Sequence, residues 1–383
     1  MTSGRPPAAR VLRPVPSVRP RGLPSPLSVM PTTKPRKKGE SPRAAAAQAS
    51  GAPLPAQAAR DTAALHRELL RSMLLQRRFE ERCAEMYAIG RIGGFCHLYI
   101  GQEAVSTGII QQLRPDDYII TTYRDHGQAL ARGMSARAVM AELFGRQDGC
   151  ARGKGGSMHM FDKQLGFLGG HGIVGGHIPI AAGVGFAIKY RGGDQVIVCF
   201  MGEAAVNNGA FHEALNMAAL WKLPCLFIIE NNRYGMGTAV ERASAVNDIY
   251  KRGASYDMPR DVVDGQDVLA VRAAAADAIE RARTGSTPTL LEIRTYRFMG
   301  HSMSDAVSGT YRTREELEQY LKRDPIALHR ERMERDGEIT AAEVAAMDEE
   351  IKRIVQDSID FAEASPELPL AALLEDVLVE TTS

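Results

Sequence analysis

The chain has 383 residues, 44% of them hydrophobic and 24% charged, with a formal net charge of +1. These values exclude wholesale disorder, a collagen-like repeat and a coiled coil, and no apolar run approaches the ~20 residues that a membrane span needs. The neutral total conceals two unlike parts, because residues 1–60 hold eleven Lys/Arg and one acid, a charge of +10, while the rest carries −9. The length allows one large α/β domain or two to three smaller ones. Cys83, Cys96, Cys150, Cys199 and Cys225 are odd in number and lack CxxC spacing, so neither a disulfide framework nor a zinc site is expected.

Residues 1–60 contain twelve of the twenty prolines and no apolar periodicity, and they read as a disordered basic tail. So much proline forbids the amphipathic helix of an organelle transit peptide. A bacterial cytoplasmic protein is therefore expected ahead of a mitochondrial-matrix one. The basic run KPRKK (34–38) reads as solvated tail, and no nucleic-acid or membrane partner is expected.

One ordered domain is expected over 61–383. Leu65, Leu69, Leu70, Met73, Leu74, Cys83, Met86 and Tyr87 set a helical rhythm that stops at Gly90. A turn at Pro115–Asp117 precedes a predicted strand, YIITTY (118–123), and Ser135 is a plausible cap for the helix that follows. Twelve glycines then fall within residues 149–185, a density that argues against plain helix or strand. Close backbone approach to a ligand is the preferred reading, and a long surface loop is the alternative.

A small-residue helix (178–190), a strand (195–201), a helix (209–221) and a strand (223–230) follow. The last three form a βαβ unit, which implies parallel strands and a right-handed crossover. A helix (268–283) and a strand (289–297) continue the alternation. The region from about 311 is predicted helical, with Thr313 and Glu316 as a capping box and a longer helix over about 341–363.

In an open α/β sheet, ligands sit beyond the C-terminal ends of the strands. Glu203 and Asn232 each lie just past a strand of the βαβ unit, so parallel pairing brings their side chains together. A carboxylate, an amide oxygen and a backbone carbonyl make a hard-oxygen set suited to Mg²⁺, which completes its shell with phosphate oxygens. The helix starting near Asn208 aims its N-terminal amides at the same spot. A Mg²⁺–diphosphate site is the resulting expectation, with a pair of loop-capping side chains as the plain alternative.

GEA followed by NN resembles the thiamine-diphosphate signature, which usually reads GDG…NN. The blocks GGFCHLYIGQEA (93–104), ITTYRDHG (120–127), GKGGSMHM (153–160), GIVGGHIP (172–179), NMAALWKLPCLFIIENNRYGMGT (216–238), RTYRFMGHSMSD (294–305) and YRTREE (311–316) are similar to the E1 α subunits of the pyruvate dehydrogenase type. These belong to the thiamine-diphosphate-dependent 2-oxo acid dehydrogenases. The likeness runs from about residue 65 to the last helix and leaves the tail uncovered.

The resemblance implies a thiamine-diphosphate-binding α/β fold with a mostly parallel central sheet, helices on both faces and a helical C-terminal region. It implies Glu203, Asn232 and the Tyr234 carbonyl as Mg²⁺ ligands. It implies Tyr123, Arg124, Gly172, Val174, Ala204, Ala205 and Arg297 as cofactor contacts, with both arginines on the diphosphate. His301 matches the active-site histidine beside the cofactor, and a titration near neutrality would suit it to proton transfer. His97 and His126 match residues near the substrate channel.

The implied reaction is oxidative decarboxylation of pyruvate and reductive acetylation of the lipoyl domain of an E2 transacetylase. A separate E1 β subunit is expected to complete an α2β2 heterotetramer. An acetoin or branched-chain 2-oxo acid dehydrogenase α subunit, and a catalytically degenerate scaffold, are the competing readings. A Rossmann oxidoreductase is disfavoured because no GxGxxG follows the first strand.

Two departures stand out. Glu203-Ala204 replaces the usual Asp-Gly, which adds a methylene of reach and removes a glycine. AVSGT (306–310) replaces a shorter Asp-Pro segment. Ser302 aligns with a serine that kinases modify in animal relatives.

Overall fold

The computed structural model describes residues 56–375. The expected tail therefore lies, as far as residue 55, outside the described residues, as do residues 376–383.

Helix α1 (Ala56–Ala88) begins five residues before Asp61, because the alanines of AQAARD are strong helix formers. It ends where Gly90 takes φ +78°. Leu69, Leu70, Met73, Phe79 and Cys83 along it are fully buried. Helix α2 (Glu103–Ile110) follows and is buried at every position, so it has no polar face to betray it as a helix in the sequence.

Strand β1 (Tyr118–Thr122), helix α3 (His126–Ala131) and helix α4 (Ala136–Leu143) come next. Ser135 does occupy the N-cap position of α4, but its side chain makes no capping hydrogen bond, which corrects the expected mechanism.

The glycine-rich stretch contains a strand after all, β2 (Phe167–His171). It is an edge strand with an irregular register against β1, and Gly169 adopts φ +99°. Glycine is tolerated there because a Cβ on Gly169 would strike the Phe161 ring and one on Gly170 would strike Asp125 Oδ2.

Helix α5 (His177–Arg191), strand β3 (Ile197–Gly202), helix α6 (Gly209–Trp221) and strand β4 (Cys225–Asn231) match the predicted order. The β5–β6 hairpin (Tyr234–Gly235, Thr238–Ala239), the short helix α7 (Val240–Ala243) and the edge strand β7 (Arg260–Asp264) were not legible. Helix α8 (Val268–Gly285) and strand β8 (Thr289–Arg294) complete the sheet.

Helices α9 (Arg314–Leu321), α10 (Pro325–Arg335) and α11 (Ala341–Ala364) form the C-terminal part. The capping box expected at Thr313 is half made. Thr313 accepts from Glu316 N, while the Glu316 carboxylate instead accepts from Tyr234 and Tyr296 hydroxyls. A complete box caps α11 through Thr340 and Glu343.

All six strands of the main sheet are parallel, in the order β2-β1-β3-β4-β8-β7. Buried residues fill both faces, one against α1–α4 and α8–α11 and the other against α5 and α6. That is the layering of a doubly wound α/β fold. The chain runs outward from β1 to β2 and then returns to the other side of β1 for β3. The strand order thus reverses between β1 and β3, which is where such sheets hold ligands. No helix among the described residues is long and apolar enough to cross a membrane.

Candidate active site

The sheet register decides which residues meet. Gly202 pairs with Glu230, so Glu203 and Asn232 emerge side by side past β3 and β4. Tyr123 and Arg124 emerge past the adjacent β1, and Arg297 past β8. A cavity of about 190 Å³ opens above these ends.

Tyr123, Arg124, Val174, Glu203, Ala204, Ala205, Asn232, Tyr234, Arg297 and His301 all line this cavity. Three of the candidate residues do not. Gly172 directly follows β2, where a Cβ would sit 3.2 Å from the His159 ring. His97 stands behind the wall, its ring 4.6 Å from Tyr123 and 5.2 Å from His301. His126 is fully buried between Glu80 Oε2 at 2.9 Å and Ser157 Oγ at 2.9 Å.

Glu203 is buried, and its Oε1 has no hydrogen-bond partner. Burial raises its carboxyl above the ordinary range. Asn232 Nδ2 donates to Gln102 Oε1 at 2.9 Å, which turns the amide oxygen, the cation-binding end, away from Gln102. Gln102 also lines the cavity, and sequence reasoning assigned it no role although it lies in the quoted GQEA block.

Ala204 is accommodated by glycine across the cleft. A Cβ on Gly235 would lie 2.5 Å from the Ala204 methyl, so the side chain absent from Gly235 makes room for the one present at 204.

The arginines carry the electrostatics. Arg124 donates to the Leu98 and His301 carbonyls at 2.6 and 2.7 Å. Arg297 donates to the Met299 and Tyr234 carbonyls at 3.2 and 3.4 Å and to the Tyr311 hydroxyl at 3.0 Å. Both are almost fully buried, and neither pairs with a carboxylate among the described residues. Burial, then Arg297, pushes Arg124 down to about 10. Two buried cations without an anionic partner define a site for an anion.

The same field acts on the histidines. Burial, with Arg124 and Arg297 adding, pushes His301 down to about 4, so it is a neutral acceptor at pH 7 rather than a group titrating near neutrality. His97 is pushed down to about 3 by burial and Arg124. His126 goes the other way: burial lowers it, but the Glu80 carboxylate, with Asp125 and the Ser157 carbonyl, more than offsets this.

Two further residues on the cavity wall escaped the sequence. His177 starts α5, donates through Nε2–H to the Phe200 carbonyl (2.7 Å), and leaves a buried Nδ1 unpartnered. Glu230 accepts from Tyr99 Oη and Gln128 Nε2, and burial raises it to about 7. Residues inside an apolar strand or a helix start give no sequence signal of this kind.

The chain matches the sequence model of the family described as dehydrogenase E1 component over residues 71–371. It is 52% identical over 310 residues to the pyruvate dehydrogenase E1 component subunit alpha of Rhizobium meliloti, covering 81% of this chain and 88% of that protein. The subunit of the same name from Rickettsia felis is 47% identical over 296 residues, covering 77% and 90%. The somatic mitochondrial form from Bos taurus is 49% identical over 304 residues, covering 79% and 77%. The chain therefore belongs to the dehydrogenase E1 component family, whose members in general depend on thiamine diphosphate.

Proposed function

We propose that this chain is the α subunit of a pyruvate dehydrogenase E1, which decarboxylates pyruvate and passes the acetyl group to a lipoyl domain of an E2 transacetylase. One observation carries the reading. A cavity at the strand-order reversal combines two buried arginines that have no carboxylate partner among the described residues with a buried Glu203 oxygen that has no partner there either. Anion and cation must both be supplied by a ligand, and a metal diphosphate supplies both.

The residues fit such a group. Glu203 Oε1, Asn232 Oδ1 and the Tyr234 carbonyl would hold Mg²⁺, and Arg124 and Arg297 the diphosphate. Tyr123, Gly172, Val174, Ala204 and Ala205 would border the rest of the cofactor. Bound there, thiamine diphosphate supplies the carbanion that attacks the ketone and the electron sink that lets CO₂ leave.

The chain's own residues orient the site. Arg124 fixes the His301 loop through its carbonyl. His301 starts as a neutral acceptor, so it must take up a proton before it can deliver one to a lipoyl thiolate. Burial is the larger cause of its low value, and a bound diphosphate beside the two arginines offsets the part that they add. His97 buttresses Tyr123 and His301, and His126 anchors the wall behind it.

The relatives named alpha subunits of pyruvate dehydrogenase favour pyruvate over acetoin or branched-chain substrates. The alpha designation supports an E1 β partner, in an α2β2 assembly, that completes the site. Steady-state assay of the chain purified with and without its β subunit, on pyruvate and on branched-chain 2-oxo acids, tests this. Activity on pyruvate only with β is expected, and activity of the lone chain overturns it.

A further inference from the structure

The glycine-rich segment after α4 meets an anion, but the anion belongs to the protein. Glu142, on α4 and wholly buried, accepts four backbone N–H bonds from one loop. Its Oε2 takes Ala151 N and Gly153 N, both at 2.8 Å. Its Oε1 takes Gly155 N at 2.7 Å and Gly156 N at 3.0 Å. Gly153 (φ +72°) and Gly156 (φ +59°) turn their amides inward in a conformation that suits glycine. Four amides of one loop converging in this way, the last two from successive residues, form an anion-binding nest.

The residue that follows the nest reaches the catalytic wall. Ser157 is 3% exposed, its Oγ lies 2.9 Å from His126 Nε2, and it accepts the His97 backbone N–H at 3.3 Å. His97 in turn packs on Tyr123 and His301.

We propose that residues 151–156 are an anion nest filled in cis by Glu142, and that this carboxylate is a positioning residue that sets Ser157, and through it His97, for the reaction. Only the kinetic part rests on the function proposed above. Four charge-assisted bonds to one carboxylate hold the loop more firmly than its own sequence could, since glycine loses the most freedom on ordering. Without the carboxylate, four amides would face a buried void and the loop would open to water.

The test is Glu142→Ala in the full chain assembled with its β subunit, with and without formate as a replacement carboxylate. Amide hydrogen exchange should rise at 151–156, and kcat/KM for pyruvate should fall by roughly 100-fold, the scale for a misplacement of about 1 Å. Thiamine-diphosphate affinity should change by less than about threefold, because neither Glu142 nor the four amides it holds lines the cofactor cavity.

Formate at tens to hundreds of millimolar should return both loop protection and at least about tenfold of the activity, and leave the wild type unchanged. Glu142→Gln, whose amide turns a donor toward the nest, should resemble the alanine variant but resist formate. Unchanged exchange in Glu142→Ala overturns the nest. An opened loop that formate neither re-protects nor reactivates also overturns it.

If the variant yields no assembly, Ser157→Ala decides the second link. It should lower kcat/KM with 151–156 still protected, and wild-type kinetics would overturn the positioning role. If the wild type itself lacks activity on pyruvate, the functional proposal fails while the exchange experiment still judges the nest.

Discussion

Arg124 Nη2 donates to the carbonyl oxygen of His301 at 2.7 Å, although 177 residues separate the two in sequence. Its Nη1 donates to Leu98 O at 2.6 Å, one residue from His97. A single guanidinium at the end of β1 thus ties together the segments that carry both histidines. The planar fork is what allows two bonds in fixed directions.

Arg124→Lys keeps the charge and loses the fork. It should weaken thiamine-diphosphate binding by about 10- to 100-fold, since each hydrogen bond to a charged group is worth on the order of 1.5–3 kcal/mol. Calorimetric titration of the assembled enzyme reads this directly. Affinity equal to wild type would mean that Arg124 only braces the loop.

The Glu203 carboxylate is buried with one oxygen unpartnered. Glu203→Gln should cost at least about 100-fold in Mg²⁺-dependent cofactor affinity, because a neutral amide replaces a charged ligand on a hard cation. Glu203→Asp should lose less than about tenfold, because the charge remains and only reach changes. A Mg²⁺ titration at fixed cofactor separates the two, and equal losses would point to steric fit rather than charge.

Asp125 gives a pH prediction whose sign can be worked out. Burial raises it to about 7, and Met160 N–H is its backbone donor at 3.1 Å. The folded chain therefore holds a proton that the unfolded chain releases near pH ~3.9. Stability from this group is complete below that value, falls as pH rises toward 7, and is lost above it. Asp125→Asn removes the dependence. In thermal unfolding, the variant's advantage should be small at pH 4, grow to pH 7 and then level, reaching on the order of a few kcal/mol. An advantage that shrinks with pH would contradict the buried, raised carboxyl.

Much of this could be read in the sequence, and the failures have physical causes. The βαβ unit from Ile197 to Asn231 was legible because its strands are continuous apolar runs buried on both faces. Glu203 and Asn232 followed from parallel pairing alone. Strand β2 was missed because its glycines answer to neighbours distant in sequence, Phe161 and Asp125. Helix α2 was missed because it is buried all round. The glycine-rich stretch divides in two: Val174 and Gly175 line the cavity, whereas the amides of 151–156 face Glu142. Nothing local links that glutamate to amides nine to fourteen residues later. The likeness to known families supplied the individual cofactor contacts, and composition could not have done so.

Cofactor uptake by the assembled enzyme tests the central claim most directly. The chain purified with its β subunit should bind thiamine diphosphate in a Mg²⁺-dependent manner, with one site per α chain. Arg297→Ala should abolish that binding while the assembly stays intact. Failure of the intact assembly to bind the cofactor in the presence of Mg²⁺ would contradict the account, whatever activity the preparation displayed.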